Sequence, residues 1–421
     1  MSLKYFPIKQ GVACPQKWTW NTLRLYDGTT SSCHRVKPVE LDLDNFKNFH
    51  NYQTWLDHRN LMLSGKFPKA GCEYCEKIET AGGISDRLTH SKSLYLSPPE
   101  LEIDPTSIYV TPRVLEVFLD NVCNLSCIYC DESNSSRIEQ ENKKFGYLKN
   151  NTTHLISEIN KSQNFDLLTD KFFEYLNENY HHLRRLHILG GEPFYQKSFD
   201  RLMDFIANNK NPELELNIVT NLTPTTAKLE KFVKLSRQLL IDNKIKRIDI
   251  TASLDCLGKE QEYVRNGLNL ELWKTNFDLL AKHKWITLNI NSTISALTIG
   301  TMPDLIKYIN VIKSFRKVHH TFGYVDGRQH LNCDIFGPDF FKDTFTNILQ
   351  LMPMSTDWEI AQKEYMTRLS HRYANSTVDT ENLNNLQVYL DELDRRRNQN
   401  WRLIFPCINK YLTEILSNVV Q

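Results

Sequence analysis

Six short apolar stretches, most followed by an amphipathic one, constrain this chain more than any other feature. They span 113–120, 184–189, 214–220, 246–254, 285–294 and 317–325, and helix-period segments follow at 167–180, 198–208, 225–241, 270–283 and 302–315. Strands separated by helical stretches predict βα units and a parallel sheet. Six such units predict an α/β fold, a partial (β/α)6 TIM barrel open on one side. Ligands of such sheets sit at the C-terminal ends of the strands.

The flanks divide the chain into three parts. Residues 1–105 are cysteine-rich and poor in regular period, 106–336 carry the barrel pattern, and 337–421 read as a helical tail. One helix is expected over 44–64, where Phe46, Phe49, Trp55, Leu56, Leu61 and Leu63 are spaced for one face. A polar, Asn-rich insertion at 131–164 is longer than an ordinary βα loop. There is no internal repeat at a fixed period.

With 51 Lys and Arg against 50 Asp and Glu, the net charge is +1. No global field draws the chain to nucleic acid or to an anionic membrane, and neither is expected as a partner. The first residues lack an apolar signal core, and no apolar run approaches the ~18 residues of a spanning helix. A cytoplasmic protein is expected. Its 10 cysteines then point to metal or redox chemistry rather than to disulfides. The run Arg395-Arg396-Arg397 follows Asp391, Glu392 and Asp394, and reads as a solvated helix face. His319 and His320 are adjacent on an expected strand and point to opposite faces.

The first strand runs into CNLSCIYC, which places Cys123, Cys127 and Cys130 at Cys-x3-Cys-x2-Cys spacing. Three thiolates on one tight loop suit three irons of a cubane cluster, leaving the fourth iron open. Zinc fits less well, because a structural zinc site wants four ligands. This loop, with Tyr129 directly before the third cysteine, resembles the signature of the radical S-adenosylmethionine (SAM) superfamily. The resemblance implies a 4Fe-4S cluster whose open iron binds SAM. It further implies reductive cleavage of SAM to a 5′-deoxyadenosyl radical, and hydrogen abstraction from a substrate. It also implies a SAM site at the following strand ends. Gly190, Gly191, Glu192 and Pro193 would contact the SAM amino group; Asn221, Ser253, Asp255 and Arg265 would hold ribose and carboxylate.

Cys14 and Cys33 are separated by thirteen residues, Gly28 and four more residues. This is similar to the first half of the SPASM/twitch auxiliary-cluster motif, here ahead of the barrel instead of after it. Cys72 and Cys75 complete four ligands, for a second 4Fe-4S cluster or for zinc. Cys256, Cys333 and Cys407 are isolated and read as small buried apolar residues.

The resemblance implies oxidative modification of a ribosomally synthesised peptide, with a reductant such as flavodoxin or ferredoxin. Two rivals stand beside it: radical modification of a small molecule (a sugar, nucleotide or amino acid derivative), and a zinc-stabilised binding protein without chemistry. The catalytic acid or base is not legible in the sequence.

Overall fold

The computed structural model describes residues 12–69, 71–82, 85–88, 107–148, 161–325 and 327–417. Its strands are β1 (Trp20–Arg24), β2 (Thr29–Ser31), β3 (Val39–Glu40), β4 (Val114–Phe118), β5 (Ser126–Cys127), β6 (Arg185–Leu189), β7 (Glu215–Thr220), β8 (Arg247–Ser253), β9 (Arg265–Asn266), β10 (Ile286–Ile294) and β11 (Val318–Tyr324). Nine of them form one sheet in the order β11-β10-β8-β7-β6-β4-β1-β2-β3. The six expected strands stand side by side in chain order, each parallel to its neighbour. Helices Phe165–Asn179, Lys197–Asn208, Thr226–Ile241, Leu270–Ala281 and Met302–Lys313 fall within two residues of the expected segments. The fold is a mixed α/β arrangement around a large parallel sheet.

The two faces of this sheet differ in kind. Along β10, Ile286, Leu288, Ile290, Ser292 and Ile294 are buried, whereas Thr287, Asn289, Asn291 and Thr293 alternate with them and are half-buried. Along β8, Ile248, Ile250 and Ala252 share the apolar face, and Asp249, Thr251 and Ser253 share the other. Period-2 alternation fixes this division. Parallel sheets are ordinarily apolar on both faces. A polar second face is therefore a property this chain maintains against the usual composition.

The N-terminal segment joins the same sheet. β1 pairs in parallel with β4, and β2 and β3 continue antiparallel. At the opposite edge, the helix Asp357–Ala374 lies along β11. Gln362 Oε1 accepts from Phe322 N, and Tyr365 Oη accepts from Tyr324 N, at 3.0 Å each.

Three expectations change. The helix expected over 44–64 is two elements, a 3-10 turn Phe46–Asn51 and a helix Gln53–Leu63, separated by Tyr52 at φ −57° and ψ 150°. The buried Arg59 guanidinium holds the break by donating to His50 O and Asn51 Oδ1; Leu61 and Leu63 are exposed. The polar insertion contains a helix, Ser136–Phe145, started by Ser135 Oγ accepting from Ile138 N; its residues 149–160 lie outside the described residues. The Arg395–Arg397 run is not a solvated face. Arg395 is exposed, but Arg396 and Arg397 are buried against the insertion helix. Arg397 bonds both Glu141 oxygens, at 3.1 and 3.3 Å, and Arg396 bonds Gly146 O and Asn142 Oδ1. Among the described residues no helix is long and apolar enough to cross a membrane.

Candidate active site

The cysteine loop begins where β4 ends and is fixed from four sides. β5, which contains Cys127, pairs antiparallel with β9, placing Cys127 opposite Arg265. Glu192 N donates to Val122 O at 2.8 Å. Gln196 Nε2 reaches Asp120 O, Val122 O and Gly190 O. Arg328 Nη2 donates to Cys130 O at 2.6 Å. Gly191 adopts φ +53°, and a Cβ there would lie 2.4 Å from Val122 O. Only glycine lets the two loops approach this closely.

Cys123, Cys127 and Cys130 line one cavity of about 210 Å³ with Phe118, Leu189, Asn134 and the ends of β6, β7 and β8. No three His, Cys, Asp or Glu side chains among the described residues converge on a single metal ion. The three thiols share the lining of this cavity. Donors already face the sulfurs. Leu125 N lies 3.4 Å from Cys123 Sγ, Asn221 Nδ2 lies 4.0 Å from the same atom, and Arg265 Nη1 lies 4.0 Å from Cys127 Sγ. Burial pushes the Cys123 thiol up to about 12, and Cys127 adds to the effect. Burial likewise raises Cys127 and Cys130. A metal held by these thiols would have to displace their protons.

The expected SAM residues separate into two groups. Tyr129, Gly190, Gly191, Asn221, Ser253 and Arg265 line the cavity. Ser253 has no hydrogen-bond partner for its hydroxyl among the described residues, so that group is available to a ligand. Glu192, Pro193 and Asp255 do not line it. Glu192 is fully buried, and its carboxylate accepts from Thr220 Oγ1 at 2.7 Å, Asn221 N at 2.6 Å and Phe194 N at 3.3 Å. It braces the ends of β6 and β7. Burial pushes it up to about 7, against these hydrogen bonds. Asp255 is also fully buried and receives Arg265 through two bonds of 2.7 and 3.0 Å, together with Thr293 N and the Tyr129 hydroxyl. Burial opposes the charge on Arg265, but Asp255, Tyr129 and Cys127 together outweigh it and raise the guanidinium well above its ordinary value. Asp255 thus orients Arg265 and Tyr129 toward the cysteines. Sequence spacing marked the strand ends; it did not distinguish a side chain facing the cavity from one turned behind it. Gln196, Asn134 and Asn124, whose Oδ1 accepts from Asn221 Nδ2 at 2.8 Å, were missed, and nothing in their spacing sets them apart.

Of the N-terminal cysteines, Cys14 and Cys72 are buried in one cluster and Cys33 packs against it. Cys14 precedes the short helix Pro15–Thr19, Cys72 and Cys75 open the helix Glu73–Thr80, and Cys33 follows β2. Cys14 lies within electrostatic reach of Cys33 and Cys72, and Cys72 within reach of Cys33 and Cys75. Gly71 at φ +99° allows this, since a Cβ there would lie 2.0 Å from Arg35 O. Beside them is the buried Lys17 ammonium, bonded to Ser32 Oγ at 2.8 Å and 3.2 Å from His58 Nδ1. Of the isolated cysteines, Cys256 and Cys333 are buried as expected, but Cys407 is exposed on the helix Pro406–Ser417.

No family profile matches the chain, and no curated protein sequence matches it. Among solved structures it is similar to "Native anSMEcpe with bound AdoMet", at TM-score 0.35, and to "Native anSMEcpe with bound AdoMet and Kp18Cys peptide", at TM-score 0.37. Both alignments have 18% identity and cover 57% of this chain and 59% of the other. The chain therefore spans less than two thirds of the length of these proteins.

Proposed function

We propose that this chain is a radical SAM enzyme. Its 106–336 region would act as a partial barrel, 1–105 would carry an auxiliary 4Fe-4S cluster on Cys14, Cys33, Cys72 and Cys75, and 337–421 would form a helical cover. The observation that carries the reading is the shared cavity of Cys123, Cys127 and Cys130 at the C-terminal ends of parallel strands, with hydrogen-bond donors facing the sulfurs. When bound, the cluster and SAM would supply one electron and a 5′-deoxyadenosyl radical able to take a hydrogen atom from a substrate.

The chain's own residues have definable tasks in this reading. Arg265, fixed by Asp255, offers a cation beside Cys127 for a carboxylate. Ser253 and Asn221 present polar groups from neighbouring strand ends. Gly190 and Gly191 leave the backbone open to close approach. Flavodoxin or ferredoxin is the proposed reductant, and the cytosol the proposed compartment.

A ribosomally synthesised peptide is the substrate class implied by the resemblance to SPASM/twitch proteins. A second reading, a small molecule, is favoured by the polar face of the sheet, where a cavity of about 420 Å³ is lined mostly by Thr and Asn side chains, with Arg247, His319 and Trp358.

The test is anaerobic reconstitution with iron and sulfide, followed by SAM and dithionite. Wild-type protein is expected to yield 5′-deoxyadenosine and methionine. The Cys123→Ala/Cys127→Ala/Cys130→Ala variant is expected to yield none and to bind less iron. Cleavage at the wild-type rate by that variant would sink the assignment.

A further inference from the structure

The polar face of the sheet carries a cavity distinct from the one around the cysteines. It is lined by Thr251 of β8, Thr287, Asn289 and Asn291 of β10, His319 and Thr321 of β11, with Arg247 and Trp358 at its margin. Its volume of about 420 Å³ falls within the ~300–1,000 Å³ of small-molecule sites. The two cavities adjoin. Ser253 lines the cysteine cavity, Thr251 lines this one, and the two lie on one face of β8. Asn291 stands directly opposite Ser253 in the parallel register.

The chemistry of the lining is narrow. Thr251 Oγ1 accepts from Asn217 at 3.2 Å and, more weakly, from Asn289 at 3.5 Å, which orients both amides across the face. Thr287, Asn291 and Thr321 are half-buried, and their side chains have no hydrogen-bond partner among the described residues. None of their polar atoms is closed off from solvent, so in the free protein they face water that a ligand would displace. A ligand that satisfies several at once must itself carry several closely spaced donors and acceptors.

The one charged side chain among the described residues of the lining is already paired. Arg247, the cation in the lining, is committed to Asp249 through two bonds and to Glu215 through a third, at 2.8, 2.9 and 3.0 Å. Arg185 completes this closed network at the N-terminal ends of the strands by bonding Glu215. No carboxylate lines the cavity. On one side stands an aromatic wall. Trp358 is fixed by its Nε1 donating to His320 O, and its ring meets the His319 ring edge-on at 5.7 Å.

We infer that this cavity binds the hydroxylated ring of a sugar, free or as the ribose of a nucleoside, packing its C–H face toward Trp358 and its hydroxyls among Thr287, Asn289, Asn291 and Thr321. A sugar ring is uncharged, has donors and acceptors on adjacent carbons, and has one apolar face. A peptide of comparable bulk would present fewer neighbouring hydroxyls to this ladder. The inference rests on the proposed function only for what happens next, because a ring held at Asn291 lies beside Ser253 and the cysteine cavity. Binding itself requires neither cluster nor SAM.

The experiment is ligand-observed saturation-transfer NMR on the full chain. The panel contains aldohexoses, their amino and N-acetylated forms, the four ribonucleosides and a set of short peptides. Binding of at least one sugar-containing compound is expected. Free hexoses and nucleosides in separate arms distinguish the two sources. Asn289→Leu and the near-isosteric Thr321→Val should each weaken binding about tenfold, the scale of one buried hydrogen bond. Thr321→Val changes little volume, and melting temperature checks that both variants fold. Saturation of the peptides alone, or equal affinity in both folded variants, overturns the inference. Sugar binding without SAM cleavage would reject the radical reading and leave this site standing; SAM cleavage without sugar binding would do the reverse.

Discussion

Tyr389, on the helix Thr380–Arg397, donates its hydroxyl to the carbonyl of Ile128 inside the cysteine loop, 261 residues earlier. The C-terminal region thus braces the cysteine loop through its backbone, without lining the cavity. The Arg397–Glu141 pair lies one element away and holds the same helix against Ser136–Phe145.

Arg397→Ala leaves Glu141 without its bidentate partner. Arg396 Nη1 stays 3.8 Å from Glu141, so the loss is that of hydrogen bonds to a charged group, about 1–3 kcal/mol. Urea denaturation should show a loss of that order, and hydrogen exchange should rise over 123–130. Arg395→Ala, two residues away and exposed, should leave both unchanged. Equal effects from the two variants would refute the clamp.

Glu192→Ala separates the two roles this carboxylate has been given. As a brace, its removal leaves Asn221 N and Phe194 N without their acceptor, at about 1–3 kcal/mol. The variant is expected to lose stability in urea before any loss of SAM affinity is measured by calorimetry. Wild-type stability with weakened SAM binding would put Glu192 in contact with the ligand instead.

At the N-terminal site, Cys72→Ala/Cys75→Ala should cut bound iron to about half if each site holds a similar cluster. Gly71→Ala should match it without touching a ligand, because the new Cβ would meet Arg35 O at 2.0 Å. Unchanged iron with a fall in zinc would identify a structural zinc.

Stability should also fall with acid. Burial holds His320 down to about 3, with Ser292 Oγ 2.8 Å from its Nε2. The unfolded chain takes up a proton below about 6.5, whereas the folded chain does not. The neutral ring therefore supports folding fully above that pH, and the support is lost as pH falls toward 3. Denaturation of His320→Gln at pH 7 and pH 5 should show a deficit about 2 kcal/mol smaller at pH 5. A deficit independent of pH would contradict the assignment.

The sheet was legible because strand-length apolar runs and period-3.6 segments alternate from 113 to 325, broken only by the polar insertion at 131–164. The opposite faces of His319 and His320 followed from the period of a strand: His319 lines the polar cavity and His320 packs under the helices. The local pattern did not contain contacts made across the chain. Arg396 and Arg397 looked solvated beside Asp391, Glu392 and Asp394, but Arg397's partner is Glu141, some 256 residues away. Glu192 and Asp255 sat at the expected strand ends, yet each turned into a hydrogen-bond network behind the cavity wall. Periodicity assigns a face to a residue, but a strand end is where the chain leaves that periodicity.

The way β11 is finished has a consequence for the protein in bulk. An exposed strand edge offers a row of amides and carbonyls to any other chain, and so invites stacking of copies and fibrous precipitation. Gln362 and Tyr365 occupy two of those amides with side-chain oxygens. Two of the amides that a second copy would need at β11 are thereby already taken.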